Sequence, residues 1–125
     1  MNRERKKGLG LSPGFWIRMW ILVALGDREL HGYELISKIS DIFPGMIGKG
    51  IGEMGRGYRI LRELEMEGLI TSYWDVEGIG PAKRVYKLTP KGEELRRESI
   101  KYIREIKGYI EKFIEIAESE EKKIP

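Results

Sequence analysis

Residues 69–90 read LITSYWDVEGIGPAKRVYKLTP. Leu69 to Val76 is rich in β-branched and aromatic residues, and so is the shorter run Val85 to Leu88. Between them Glu77-Gly78-Ile79-Gly80-Pro81 carries the glycines and proline of a connecting turn, with Lys83-Arg84 beside it. Two such runs separated by turn residues predict a β-hairpin. Thr89-Pro90 then opens a helix: threonine suits an N-cap, and proline suits the first helical position, where its missing N–H is not needed. A lone hairpin enclosed by helices leaves few folds to choose from, and the flanking segments decide among them.

On the N-terminal side the spacing predicts a helix from about Arg56 to Glu67, with Gly68 at the position just past its end. At one residue per 100°, Ile60, Leu61 and Leu64 fall on one side, and Arg56, Arg59 and Arg62 form a basic stripe on the other, about 120° wide. The preceding GMIGKGIGEMGRG, residues 45–57, reads as a glycine-rich loop. Before it HGYELISKISDIF, His31 to Phe43, has Leu35, Ile36, Ile39, Ile42 and Phe43 at helical spacing, and Pro44-Gly45 stops it. The first helix opens at Ser12-Pro13 and runs through FWIRMWILVAL, Phe15 to Leu25, in which Arg18 is the only charge. A helix apolar nearly all round wants cover on most faces, and so short a chain is expected to need a second subunit to supply it.

On the C-terminal side the helix begun at Pro90 extends to about Glu118. Leu95, Tyr102, Ile106, Tyr109, Phe113 and Ile116 follow alternating three- and four-residue steps, widened by Ile103, Ile110 and Ile114, which is the pattern of a coiled-coil-like helix seeking a partner. The chain therefore divides into a basic tail (1–11), a DNA-binding unit (12–89), a dimerisation helix (90–121) and a short end (122–125). The fold expected is mainly α with a small β-wing: a winged helix-turn-helix plus a long C-terminal dimerisation helix.

The totals agree. A chain of 125 residues with 41% hydrophobic and 34% charged residues makes one small globular domain. With no cysteine there are no disulfides and no thiolate chemistry. The net charge is +3. Residues 90–125 hold nine basic and nine acidic side chains, so the whole excess lies in the first two-thirds, which is compatible with nucleic-acid binding without establishing it. The apolar stretch Phe15 to Leu25 is too short to span a bilayer and lacks a following cleavage site, so a soluble cytoplasmic protein without membrane association is expected. Glutamine is absent and asparagine occurs once, a composition like that of thermophile proteins.

No catalytic constellation, metal site or cofactor is expected. Gly50-Ile51-Gly52-Glu53-Met54-Gly55 satisfies a dinucleotide-binding spelling, but a helix and Pro44-Gly45 precede it where that motif needs a strand. His31, the only histidine, has no cysteine or second histidine to complete a metal site and reads as a capping or packing residue.

Several of these stretches together resemble the PadR-like transcription regulators. The residues are Leu30-His31-Gly32-Tyr33-Glu34-Leu35, then Tyr58, Leu61 and Leu64-Glu65, then Glu67-Gly68-Leu69-Ile70 and Ser72-Tyr73-Trp74. Gly80-Pro81, Arg84, Tyr86, Leu88-Thr89 and Gly92 complete the set. The resemblance covers about Ile21 to Leu95 and implies promoter binding as a dimer, usually in repression, with the single terminal helix of the smaller subgroup. At the start of the recognition helix the sequence departs from the family. Gly55-Arg56-Gly57-Tyr58-Arg59 keeps the tyrosine but puts arginine where the family has a hydroxyl residue, and Arg59 where it often has proline.

On this reading Arg56, Tyr58, Arg59 and Arg62 meet double-stranded DNA in the major groove, while Lys83 and Arg84 hold phosphates and Gly80-Pro81 shape the wing tip. Trp16, Trp20, Tyr102, Ile106, Tyr109 and Phe113 form the homodimer interface; near Trp16, Trp20 and Tyr109 this seam is either closed, fully packed core or a place where a small hydrophobic effector stacks. Two other functions fit the same fold: a winged-helix protein-interaction module without DNA binding, and a chromatin-like protein that binds DNA without sequence preference.

Overall fold

A computed structural model of the chain describes residues 12–42 and 51–121. The basic tail with Arg3, Arg5, Lys6 and Lys7, the stop at Pro44-Gly45 and the last four residues lie outside the described residues. Five helices and strands precede the final pair: α1 Pro13–Leu25, β1 Leu30–His31, α2 Gly32–Ile42, α3 Ile51–Met66 and β2 Ile70–Asp75. They are followed by β3 Lys83–Leu88 and α4 Pro90–Glu121. This is a mainly helical winged helix with a long C-terminal helix.

Local chemistry sets the boundaries. The Ser12 hydroxyl accepts from the Phe15 amide at 3.3 Å, and Gly26 at φ 50 ends α1 in a conformation that disfavours a side chain. The core gathers Ile17, Ile21, Leu22 and Leu25 of α1 with Leu35, Ile36 and Ile39 of α2. Ile60, Leu61 and Leu64 of α3 close it against Leu30, Ile70 and Tyr86 of the sheet. On α2 and α3 the periodic apolar positions read from the sequence are these buried positions, except Ile42, which is 51% exposed, and Phe43, which lies outside the described residues.

Three features differ from the sequence reading. The hairpin is a three-stranded antiparallel sheet in the order β1-β3-β2, because Leu30 and His31 pair with Tyr86 and Val85. His31 is thus in a strand, and a two-residue strand is too short to carry a period. Helix α3 starts at Ile51 rather than Arg56, so Gly52, Gly55 and Gly57 are helical. At Gly57 the reason is packing: a Cβ there would lie 2.9 Å from Ile36 Cδ1, so the missing side chain lets α3 press against α2. Finally, α1 lies against the first half of α4 of its own chain. Phe15 meets Tyr102 edge-on at 6.0 Å, and Ile106 is only 2% exposed. Much of the cover for α1 therefore comes from within the protomer.

The joint between α3 and α4 is tightly hydrogen-bonded. The Thr89 hydroxyl donates to the Gly68 carbonyl at 2.6 Å and accepts from the Gly92 amide at 3.0 Å. The Thr89 amide donates to the Leu69 carbonyl at 3.1 Å, and Lys91 Nζ donates to the Glu67 carbonyl at 3.0 Å. One side chain thus caps α4 and fastens it to the end of α3. Thr89→Ala is expected to cost about 1–2 kcal/mol, the upper part of the N-cap range, in urea denaturation, with Thr89→Ser restoring most of it.

Candidate nucleic-acid interface

Because Ile60, Leu61 and Leu64 face the core, the other side of α3 faces outward. Arg59 and Arg62 are exposed there, Arg56 is half-buried, and Tyr58 leans on the core. Of the stripe read from the sequence, two arginines are exposed and the third is half-buried.

The wing is tied to α3 by a polar chain. Ser72 Oγ donates to Glu65 Oε2 at 2.7 Å and accepts from Arg84 Nε at 2.9 Å. The Arg84 guanidinium also lies 3.7 Å from Glu65 Oε1 and stacks over the Trp74 ring at 5.2 Å from its centre. Arg84 thus helps fix the angle between wing and helix. Glu65, Ser72 and Trp74 form this tether, and the sequence pointed to them only through their place in the family resemblance. Lys83 is exposed and faces Asp75 across the ladder. Gly80 has φ 106, which favours glycine, and Pro81 is exposed beside it at the tip.

The other side of the sheet is held by His31. Its Nδ1 lies 2.9 Å from Glu34 Oε1 and its Nε2 3.4 Å from Asp75 Oδ2, so one ring links the start of α2 to β2. The His31 backbone amide holds the Glu34 carboxyl below the usual carboxylate range, and the Glu77 amide does the same for Asp75. Between this corner, the wing and α3 opens a cleft of 520 Å³ lined by Tyr33, Tyr58, Trp74, Lys83, Arg84 and Tyr86 among others. Burial raises the Tyr58 and Tyr86 hydroxyls above the ordinary tyrosine value, so both stay protonated donors at neutral pH.

Away from this face, Trp16 and Trp20 line an apolar groove of 310 Å³ between α1 and α4 with Ile100 and Ile103. Tyr109 does not line it; it lies further along α4 and is 61% exposed. Phe113 at 71% and Ile116 at 53% continue that outward stripe, whereas Ile106 is already covered inside the protomer. Among the described residues no group of three His, Asp or Glu side chains is placed to hold a metal, and no helix is long and apolar enough to cross a membrane.

The geometry has close parallels among solved structures. That of TM0937, a potential transcriptional factor, is 27% identical, with a TM-score of 0.73, 88% of this chain and 94% of that chain covered. Smu.1704 from Streptococcus mutans is 25% identical with a TM-score of 0.68, over 84% of this chain and 91% of that one. PadR of Bacillus subtilis, crystallised in complex with operator DNA, is 25% identical with a TM-score of 0.56 over 67% of this chain. The match spans 46% of the length of that PadR. No curated protein matches the sequence. The model of the transcriptional regulator PadR-like family matches residues 21–98, well over half of the sequence and all of the sheet and α3, and the chain belongs to that family.

Proposed function

We propose that the protein is a sequence-specific DNA-binding transcription regulator, a repressor, acting as a cytoplasmic homodimer on a pseudo-palindromic promoter site. The observation that carries this reading is the pairing of an exposed Arg59 and Arg62 on α3 with a wing locked to the same helix through Glu65, Ser72 and Arg84. A helix that reads bases must be held at a set angle to the backbone contacts beside it, and this tether supplies the angle. The operator complex of the Bacillus subtilis relative supports the same partner.

In this account residues 12–89 bind DNA and 90–121 dimerise. Arg56 and Arg59 carry base or near-base contacts, with Tyr58 and Arg62 beside them on the DNA. Lys83 and Arg84 hold backbone, and Gly80-Pro81 set the reach of the wing. Tyr109 and Phe113 meet the partner subunit, with Tyr102 and the α1 tryptophans at the inner end of the seam. A flat apolar effector fits the groove at Trp16 and Trp20, where the lining is almost wholly hydrocarbon and aromatic.

The test separates base readout from backbone contact. Arg59→Ala is expected to cost ~1–3 kcal/mol on the operator and to relax preference at one position in each half-site, with little effect on random duplex. Lys83→Ala is expected to weaken both duplexes alike and to reduce the steepness of the salt dependence by about one phosphate contact. Equal losses on operator and random DNA for Arg59→Ala would remove it from base readout. A wild-type protein that binds neither duplex would leave the protein-interaction reading in place.

A further inference from the structure

Three tyrosines line the cleft between wing and helices, and the fold makes special room for the rings of two of them. Tyr33 stands at the start of α2, Tyr58 on α3 and Tyr86 on β3, and all three line the same 520 Å³ space. Gly32 is buried at its floor. A Cβ on Gly32 would lie 2.8 Å from Tyr58 Cε1 and 3.2 Å from Tyr86 Cε2, so only glycine lets the two rings come together there. Tyr58 lies within electrostatic range of both Tyr33 and Tyr86. Among the described residues none of the three hydroxyls has a hydrogen-bond partner in the protein, in contrast to Tyr73, which donates to Glu29 at 2.6 Å.

A cleft lined by three tyrosines, each with an O–H donor and an aromatic ring, matches a group that presents several acceptor oxygens next to apolar surface. Lys83 at the same cleft favours a negative charge on it, while the charge of Arg84 is shared with Glu65, which also acts on Tyr86. Glu34 also lines the cleft, but its carboxylate is turned to the ring and backbone amide of His31. Trp74 offers a further flat apolar wall. A sugar-phosphate unit has this combination of oxygens, charge and hydrocarbon.

We propose that Tyr33, Tyr58 and Tyr86 form a seat for one phosphodiester group of the DNA backbone, held between α3 and the wing, with the deoxyribose against the aromatic floor. This rests on the DNA reading above and extends it: Tyr33 and Tyr86 become positioning contacts, and the seat sets how deep α3 enters the groove. Because tyrosine carries no charge, the seat differs from Lys83 in a measurable way. Loss of a tyrosine hydroxyl weakens binding without releasing fewer counterions, so the salt slope stays the same.

The experiment uses the full chain, a labelled duplex from the region upstream of its gene, a random duplex of equal length, and a salt series followed by anisotropy. The variants are Tyr33→Phe and the double change Tyr33→Phe with Tyr58→Phe, which keep the rings and are first shown to melt as the wild type does. The double variant is expected to bind both duplexes about tenfold more weakly, by equal factors, with the wild-type salt slope. Wild-type affinity in the double variant, or a loss confined to the upstream duplex, would overturn the proposal. Inorganic phosphate titrated at constant ionic strength into the wild type separates the source. No saturable heat supports a backbone phosphate, and saturable heat that the double variant lacks would assign the seat to a free ion and overturn the DNA assignment. If the wild type binds neither duplex, the DNA reading fails and the seat falls with it; wild-type binding with unaltered variants removes the seat alone.

Discussion

Gly92→Ala is expected to lower the melting temperature by roughly 10 °C or more, corresponding to about 3 kcal/mol at the upper end of overpacking costs. A Cβ at this position would lie 1.9 Å from the Leu69 carbonyl oxygen and 3.0 Å from its carbon. The obstacle is backbone, so it cannot rotate away as a side chain can. The start of α4 must then move off the joint, which breaks the Thr89 bond to Gly68 and the cap on the Gly92 amide. Gly108, in the same helix, is the control: a Cβ there meets nothing within 4 Å. Gly108→Ala is expected to stabilise by about 0.5–1 kcal/mol, because alanine is the better helix former at an open site. Thermal melts of the two variants should move in opposite directions; a common direction would contradict the account of the joint.

Phe113→Glu combined with Tyr109→Glu is expected to give monomers and to weaken operator binding by roughly a hundredfold or more. Both rings are largely exposed in the protomer, so the substitutions leave its core intact. Two linked half-site contacts gain about 10²–10⁴ in avidity over one, and a monomer forfeits that gain. Ile106 is the poorer target for this test, because at 2% exposure a glutamate there unfolds the protomer before it reports on the interface. Sedimentation should show monomer mass with an unchanged melting curve. Dimer mass in the double variant would place the interface elsewhere.

What was legible in the sequence follows from what leaves a period or a cap. Leu35, Ile36 and Ile39 on α2 and Ile60, Leu61 and Leu64 on α3 repeat at helical spacing, and all six are buried. Ser12-Pro13 and Thr89-Pro90 mark the helix starts that the structure has. The wing was visible as two β-rich runs around Gly78 and Gly80. Features that depend on meetings across the fold were not legible. Gly52, Gly55 and Gly57 read as loop because local propensity counts against glycine, yet at Gly57 close packing on Ile36 outweighs that cost. The two residues of β1 have no pattern of their own and exist because β3 offers a free edge. Arg84 read as a surface cation, and its link to Glu65 and Trp74 appears only when α3 and the wing are side by side. The tyrosine cleft is of the same kind, drawn from α2, α3 and β3. Membership of the PadR-like family agrees with the expectation of a regulator rather than an enzyme.

The central claim is that α3 and the wing of two subunits read a specific site together. Hydroxyl-radical footprinting of the region upstream of the gene, with the wild-type protein at moderate salt, tests it most directly. The account predicts two protected patches related by two-fold symmetry, centred about one helical turn apart, at protein concentrations that leave random duplex unprotected. Even protection along any duplex, or none at all, would contradict it.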